Sequence, residues 1–141
     1  MRADQRRLMR LQRLETVRGI AKMAAARESA EAESTLSQLE LLAARTGRLV
    51  ADYAGRADAE NGSQLRQLSL FRERLDGVSQ SAKADAGRAK ANADVKMARL
   101  AEAERSRQAV EDRARSEAQS IAQRLQDMPL GARRGFGTTL E

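Results

Sequence analysis

Three pairs of neighbouring carboxylates are the first candidates for acid–base chemistry: Glu31/Glu33, Glu102/Glu104 and Glu111/Asp112. Residues one or two apart on a helix point in different directions, so none of these pairs forms a shared pocket, and solvated surface charge is the expectation. The chain has no histidine and no cysteine, which removes thiolate nucleophiles, Ser-His and Cys-His pairs and the usual zinc or iron–sulfur ligand sets. None of its nine glycines falls in a phosphate-cradling pattern. No catalytic residue, cofactor or metal is therefore expected, and any nucleotide turnover would belong to a partner.

Two groups of residues suit partner binding instead. Arg6, Arg10 and Arg13 share one face of a helix at spacings of four and three, beside Leu8, Leu11 and Leu14. This is a basic amphipathic segment, read first as a solvated helix flank, then as a surface docking on an acidic protein groove, with nucleic acid or anionic lipid as the remaining alternatives. No aromatic is present there for base stacking, so specific nucleic-acid binding is not expected. The second group is Leu65, Leu68, Leu70, Phe71, Leu75 and Val78. One partner helix can cover only one stripe, so part of this apolar surface should face outward.

The elements that position these groups follow from composition. The 141 residues are 41% apolar but only 2% aromatic and 33% charged, with one proline. Ala, Arg, Glu, Gln, Leu and Lys dominate, a composition of long exposed helices rather than of sheets. The net charge of +6 is uneven, with the basic excess mainly within residues 1–27 and an acidic balance over 28–60. No apolar run approaches the roughly 20 residues that span a bilayer, and no signal-peptide core follows the basic start. The expected location is cytosolic.

Two proline-free stretches, about Asp4 to Ala54 and about Ser63 to Asp127, read as helices, with Gly55 and Asn61-Gly62-Ser63 between them. Gly55 is expected as a left-handed stop, and Asn61 or Ser63 as the cap of the second helix. Asn61-Gly62-Ser63 also matches a glycosylation sequon, for which a turn is the preferred reading. In the first helix Leu36, Leu39, Ala43, Thr46, Val50 and Tyr53 mark a seam. Upstream it continues through Leu14, Val17, Ala21 and Ala24 after a phase shift near residues 28–32. In the second helix the stripe is read as Leu68, Phe71, Leu75, Val78 and Ala82, then Ala86, Ala89, Ala93, Met97 and Leu100. It runs on through Ala103, Arg107, Val110, Ala114, Ala118, Ile121 and Leu125.

The expected fold is all-α: a long antiparallel two-helix coiled coil, or helical hairpin, over 1–128 with a turn at about 55–63. Residues 129–141 are expected to form a flexible basic tail. Reflection about residue 59 would set Val50 near Leu68, Leu36 near Ala82 and Leu14 near Glu104, leaving Arg113 to Asp127 without a mate. Alanine buries little area and glycines interrupt both helices, so marginal stability is expected.

The basic N-terminus, the paired helices, Tyr53 before the turn, Gln67 and Phe71-x-x-x-Leu75 after it, and the charged second helix with its basic tail together carry a resemblance. Over Gln5 to Leu125 the chain resembles the FliJ family, small coiled-coil proteins of the bacterial flagellar type III export apparatus. The resemblance implies a non-enzymatic component that binds the centre of the hexameric export ATPase through the coiled-coil ends, contacts the membrane export-gate protein and handles export chaperones. Phe71 and Leu75 match the apolar pair that the family uses toward gate and chaperones. A cytoplasmic protein peripheral to the inner membrane, without direct membrane insertion, is then implied. The alternatives are a generic coiled-coil scaffold and a basic helical protein bound to nucleic acid or acidic membrane.

Overall fold

A computed structural model describes residues 2–56 and 61–129. It is an antiparallel helical hairpin: α1 spans Arg2–Ala54, α2 spans Gly62–Asp127, and no strand occurs among the described residues. The expected tail beyond Pro129, with Phe136 and Leu140, lies outside the described residues. So do residues 57–60 of the turn.

The ends of the helices follow from local chemistry. Asn61 caps α2, its side-chain Oδ1 accepting from the Gln64 backbone N–H at 2.9 Å. The Leu65 N–H then donates to the Asn61 carbonyl at 3.1 Å. Gly55 does not take the expected left-handed conformation, since no described glycine has a positive φ. Instead α1 tightens at its last turn, with the Arg56 N–H donating to the Tyr53 carbonyl at 3.2 Å, so no left-handed residue is required. Pro129 follows the end of α2 by two residues, as expected of a residue that cannot continue a helix.

By contact the chain divides into two units, Ala24–Leu100 and Met1–Met23 with Ala101–Glu141. In the Ala24–Leu100 unit the covered positions of α1 include Ser29, Ala32, Leu36, Leu39, Ala43, Thr46, Val50 and Tyr53, with Ala25, Ala26 and Gly47 beside them. Those of α2 are Leu68, Arg72, Leu75, Ser79, Ala82, Ala86, Ala89, Ala93, Lys96 and Leu100. Both sets alternate steps of three and four, the repeat of a coiled-coil seam. The most buried members are small: Ser29, Ala32, Thr46, Ser79, Ala82 and Ala93. Thr46 satisfies its hydroxyl within α1, donating to the carbonyls of Leu42 at 3.0 Å and Ala43 at 3.1 Å.

Two expectations fail in this unit. The α2 stripe passes through Arg72, Ser79 and Lys96, whereas Phe71, Val78 and Met97 are exposed. Choosing the most apolar residue at each turn shifted the reading by one position, while the repeat itself selects the polar neighbour. The register also differs from reflection about residue 59. Tyr53 meets Phe71, and Glu28 meets Lys96 with Nζ and Oε2 3.3 Å apart. Each α1 residue is thus level with an α2 residue about six positions later than that reflection gives.

The Met1–Met23 unit with Ala101–Glu141 packs in the same manner. Its covered positions include Asp4, Leu8, Leu11, Glu15, Gly19 and Lys22 on α1 and Ala103, Arg107, Val110, Ala114, Glu117 and Ile121 on α2. Leu14, Val17, Ala21 and Ala24, expected in the seam, are exposed, as are Ala118 and Leu125. No phase shift occurs near residues 28–32, because counting back by sevens from Ser29 reaches Lys22, Glu15 and Leu8, all covered. Glu104 meets Lys22 at 3.0 Å rather than Leu14. Arg113 to Asp127 are not without a mate: Glu117 faces Arg7 at 3.8 Å, and Arg124 bonds to Asp4.

The polar seam positions are tied by charge. Arg107 donates to both Glu104 oxygens at 2.8 and 3.1 Å and to Glu111 at 2.8 Å, and Glu111 also accepts from Arg115 at 3.2 Å. The bonds from Arg107, and then from Lys22, hold the Glu104 carboxyl down at about 2, against an ordinary 4.5. The same pairing pushes the Arg107 guanidinium further up.

Two outcomes follow. A Cβ built at Gly19, Gly47, Gly77 or Gly87 meets nothing within 4 Å, so Gly77→Ala and Gly87→Ala are each expected to stabilise the hairpin by up to about 1 kcal/mol. Thermal melting of the single and double variants checks this, and additive gains are expected for sites ten residues apart. Because Glu104 is depressed in the folded state, its stabilising effect is present above 4.5 and disappears as pH falls through that value toward about 2. Melting of wild type and Glu104→Gln should differ near neutrality and converge at the acid end of that window, with the difference reduced by added salt.

Candidate partner-binding site

Among the described residues no group of three or more carboxylates is placed to hold a metal ion. The surfaces that remain are the two apolar or basic groups singled out from the sequence, and the structure treats their members differently.

Near the turn, Tyr53 from the last turn of α1 is the organising side chain. Phe71 packs edge-on to it, with ring centroids 4.9 Å apart and planes at 66°. The Arg56 guanidinium lies 4.7 Å from the Tyr53 centroid on a cation–π contact. Leu75 is half-buried and, with Val50, Tyr53, Ala54, Arg72 and Asp76, lines a shallow dent between the helices. Arg72, in the seam position beside Phe71, has a buried Nε with no hydrogen-bond partner.

Phe71 and Leu75 therefore do not form an equivalent pair. Leu75 is a seam residue, whereas Phe71 remains 46% exposed after its contact with Tyr53. Around Phe71, Leu65, Leu70 and Val78 are also exposed. Leu65 and Leu70 stand to either side of Leu68, the covered position of this stretch of α2. Sequence reasoning anticipated surplus apolar area here but missed Tyr53 as the brace, although an aromatic just before a turn in so aromatic-poor a chain is the signal that marks it.

Arg6, Arg10 and Arg13 are all exposed on α1. The Arg6 Nε donates to the Arg2 carbonyl at 3.4 Å. Among the described residues the ion pairs of this unit engage Arg7, Lys22, Arg107, Arg115 and Arg124, and none engages Arg6, Arg10 or Arg13. Leu8 and Leu11 turn inward, while Leu14 faces out with the arginines. The structure thus brings Arg6, Arg10 and Arg13 to one face and Phe71 and Leu75 to the two sides of Tyr53.

No known family, curated protein or solved structure matches the chain.

The difference between Phe71 and Leu75 is measurable. Leu75→Ala should cost roughly 2 kcal/mol, the low end for a covered leucine, by removing apolar volume beside Val50 and Tyr53. Phe71→Ala should cost about 1 kcal/mol, mostly the edge contact with Tyr53. Melting curves of the two single variants test the order: a larger loss for Phe71→Ala would place Phe71, not Leu75, in the seam.

Proposed function

We propose that this chain is a non-enzymatic coupling protein of a bacterial flagellar type III export apparatus. It links the hexameric export ATPase to the membrane export-gate protein and assists the cycling of export chaperones, as its resemblance to the FliJ family implies. In this reading it works in the cytoplasm, peripherally at the inner membrane. The observation that carries the reading is the apolar cluster at the start of α2, where Phe71 is held edge-on by Tyr53 and left half-exposed with Leu65, Leu70 and Val78 beside it. A partner that covers this cluster gains large apolar anchors already held in place, the kind of side chain that dominates interface energetics.

The residues take separate roles. Phe71 is the contact toward gate or chaperone, and Leu75 is a positioning residue that supports Tyr53 and the local seam. The hairpin itself supplies no chemistry; it presents surfaces, and nucleotide hydrolysis belongs to the ATPase. No described helix is long and apolar enough to cross a membrane, in keeping with attachment through partners or surface contact.

Two measurements test the reading. Added to the hexameric export ATPase, the chain should raise hydrolysis severalfold while hydrolysing nothing alone. Absence of both stimulation and co-purification across a range of salt concentrations would favour a generic scaffold. Phe71→Ala should weaken capture of the gate's soluble domain or of an empty chaperone by tenfold or more at unchanged helicity, an effect on binding beyond its ~1 kcal/mol effect on folding.

A further inference from the structure

Over Leu14 to Met23, α1 is inverted with respect to ordinary amphipathic packing. Glu15 and Lys22 are turned to the seam, while Leu14, Val17, Ile20 and Met23 are 40, 59, 65 and 69% exposed. At 3.6 residues per turn, Arg6, Arg10, Arg13 and Val17 fall within about 60° of arc, with Leu14 and Ile20 on either side. The outward face therefore carries three arginines over its first turns and Leu14, Val17 and Ile20 over the next ones, in about 20 Å of helix, with Met23 half a turn round from Leu14. The two carboxylates of this segment, Asp4 and Glu15, are both half-covered at the seam. The exposed charge on this face is positive throughout.

We propose that this face of α1 docks on an anionic lipid bilayer surface, the aliphatic side chains reaching the headgroup boundary and Arg6, Arg10 and Arg13 meeting lipid phosphates. Charge complementarity selects the occupant: arginines without an ion pair attract an anionic surface, and an aliphatic patch of this size is covered by lipid at little desolvation cost. The face is a convex helix surface with no aromatic residue, whereas tight protein interfaces centre on aromatic anchors seated in pockets. Nucleic acid would pair with the arginines but leave Leu14, Val17, Ile20 and Met23 in water. The chain would lie on the membrane and not span it. The proposal stands apart from the export reading, because it concerns the chain alone.

Flotation of the full chain tests it, with vesicles of phosphatidylcholine alone and vesicles containing phosphatidylglycerol. Binding is expected to the anionic vesicles only, weakening as salt is raised. R6Q/R10Q/R13Q should lower partitioning roughly a hundredfold, at about fivefold per arginine. V17S/I20S should lower it by about tenfold or more. Circular dichroism should be unchanged in both variants, since all five side chains point outward. Equal binding to neutral vesicles, no binding to anionic vesicles at low salt, or retained binding in V17S/I20S would overturn the proposal. So would lipid-free self-association abolished by V17S/I20S, which would give the face to a second copy of the chain. None of these outcomes bears on ATPase stimulation, so the two readings fail separately.

Discussion

The seven-residue phase shared by the two helices is the constraint from which the remaining features follow. It is set where the seam is filled by small residues, at Ser29, Ala32 and Thr46 on α1 and Ser79, Ala82 and Ala93 on α2. Small side chains allow close approach of the helix backbones, and close approach tolerates no local change of phase. They also bury little apolar area, so the hydrophobic contribution per turn is small. Once that phase is fixed, each seam position receives whatever residue the count delivers, including Glu15, Lys22, Arg72, Lys96, Arg107 and Glu117.

Charged residues at covered positions are tolerated here because a two-helix seam is shallow. The aliphatic stems lie along the seam, and the heads of Lys22, Lys96 and Arg107 find partners there, whereas Arg72 Nε and Glu117 Oε1 are buried without a hydrogen bond. Lys22 and Arg107 converge on Glu104, and Arg107 extends the chain of bonds to Glu111 and Arg115. Groups this accessible gain little from any one pair. The Arg107 and Arg115 bonds lie within α2, so within this group alignment draws on Lys22–Glu104 alone: a helix slipped by one residue would separate that pair, which an alanine seam by itself would not strongly resist.

Much of the fold was legible in the sequence because helix formers, the lone proline and the turn residues act locally. The helix spans, the Asn61 cap and the Leu36 to Tyr53 seam needed no tertiary information. The α2 stripe and the register did. Apolarity ranked Phe71 over Arg72, Val78 over Ser79 and Met97 over Lys96, and each choice displaced the seam by one position. The corrective signal was present in the spacing of Leu68, Leu75, Ala82 and Ala89, and of Ala86, Ala93 and Leu100, which are separated by sevens without a break. Register was harder, since reflection about residue 59 set Val50 beside Leu68, whereas Tyr53 meets Phe71.

The same constraint explains why apolar side chains stand outside. Turning α1 so that Leu14, Val17 and Ile20 faced α2 would expel Leu8 and Leu11 from the seam of their own unit and pull Lys22 away from Glu104. Folding therefore neither uses these outward residues nor can recruit them. Single exposed apolar side chains are ordinary on protein surfaces, but Leu14, Val17, Ile20 and Met23 adjoin one another over successive turns, and contiguous patches mark contact surfaces. The cluster around Phe71 arises differently, from side chains beside the covered positions of α2 rather than on them, and it is aromatic and braced where the N-terminal face is aliphatic and cationic. Surfaces of such different chemistry suit different partners: the first matches a shaped protein pocket, and the second a diffuse anionic plane that asks for charge and apolar reach but no complementary shape.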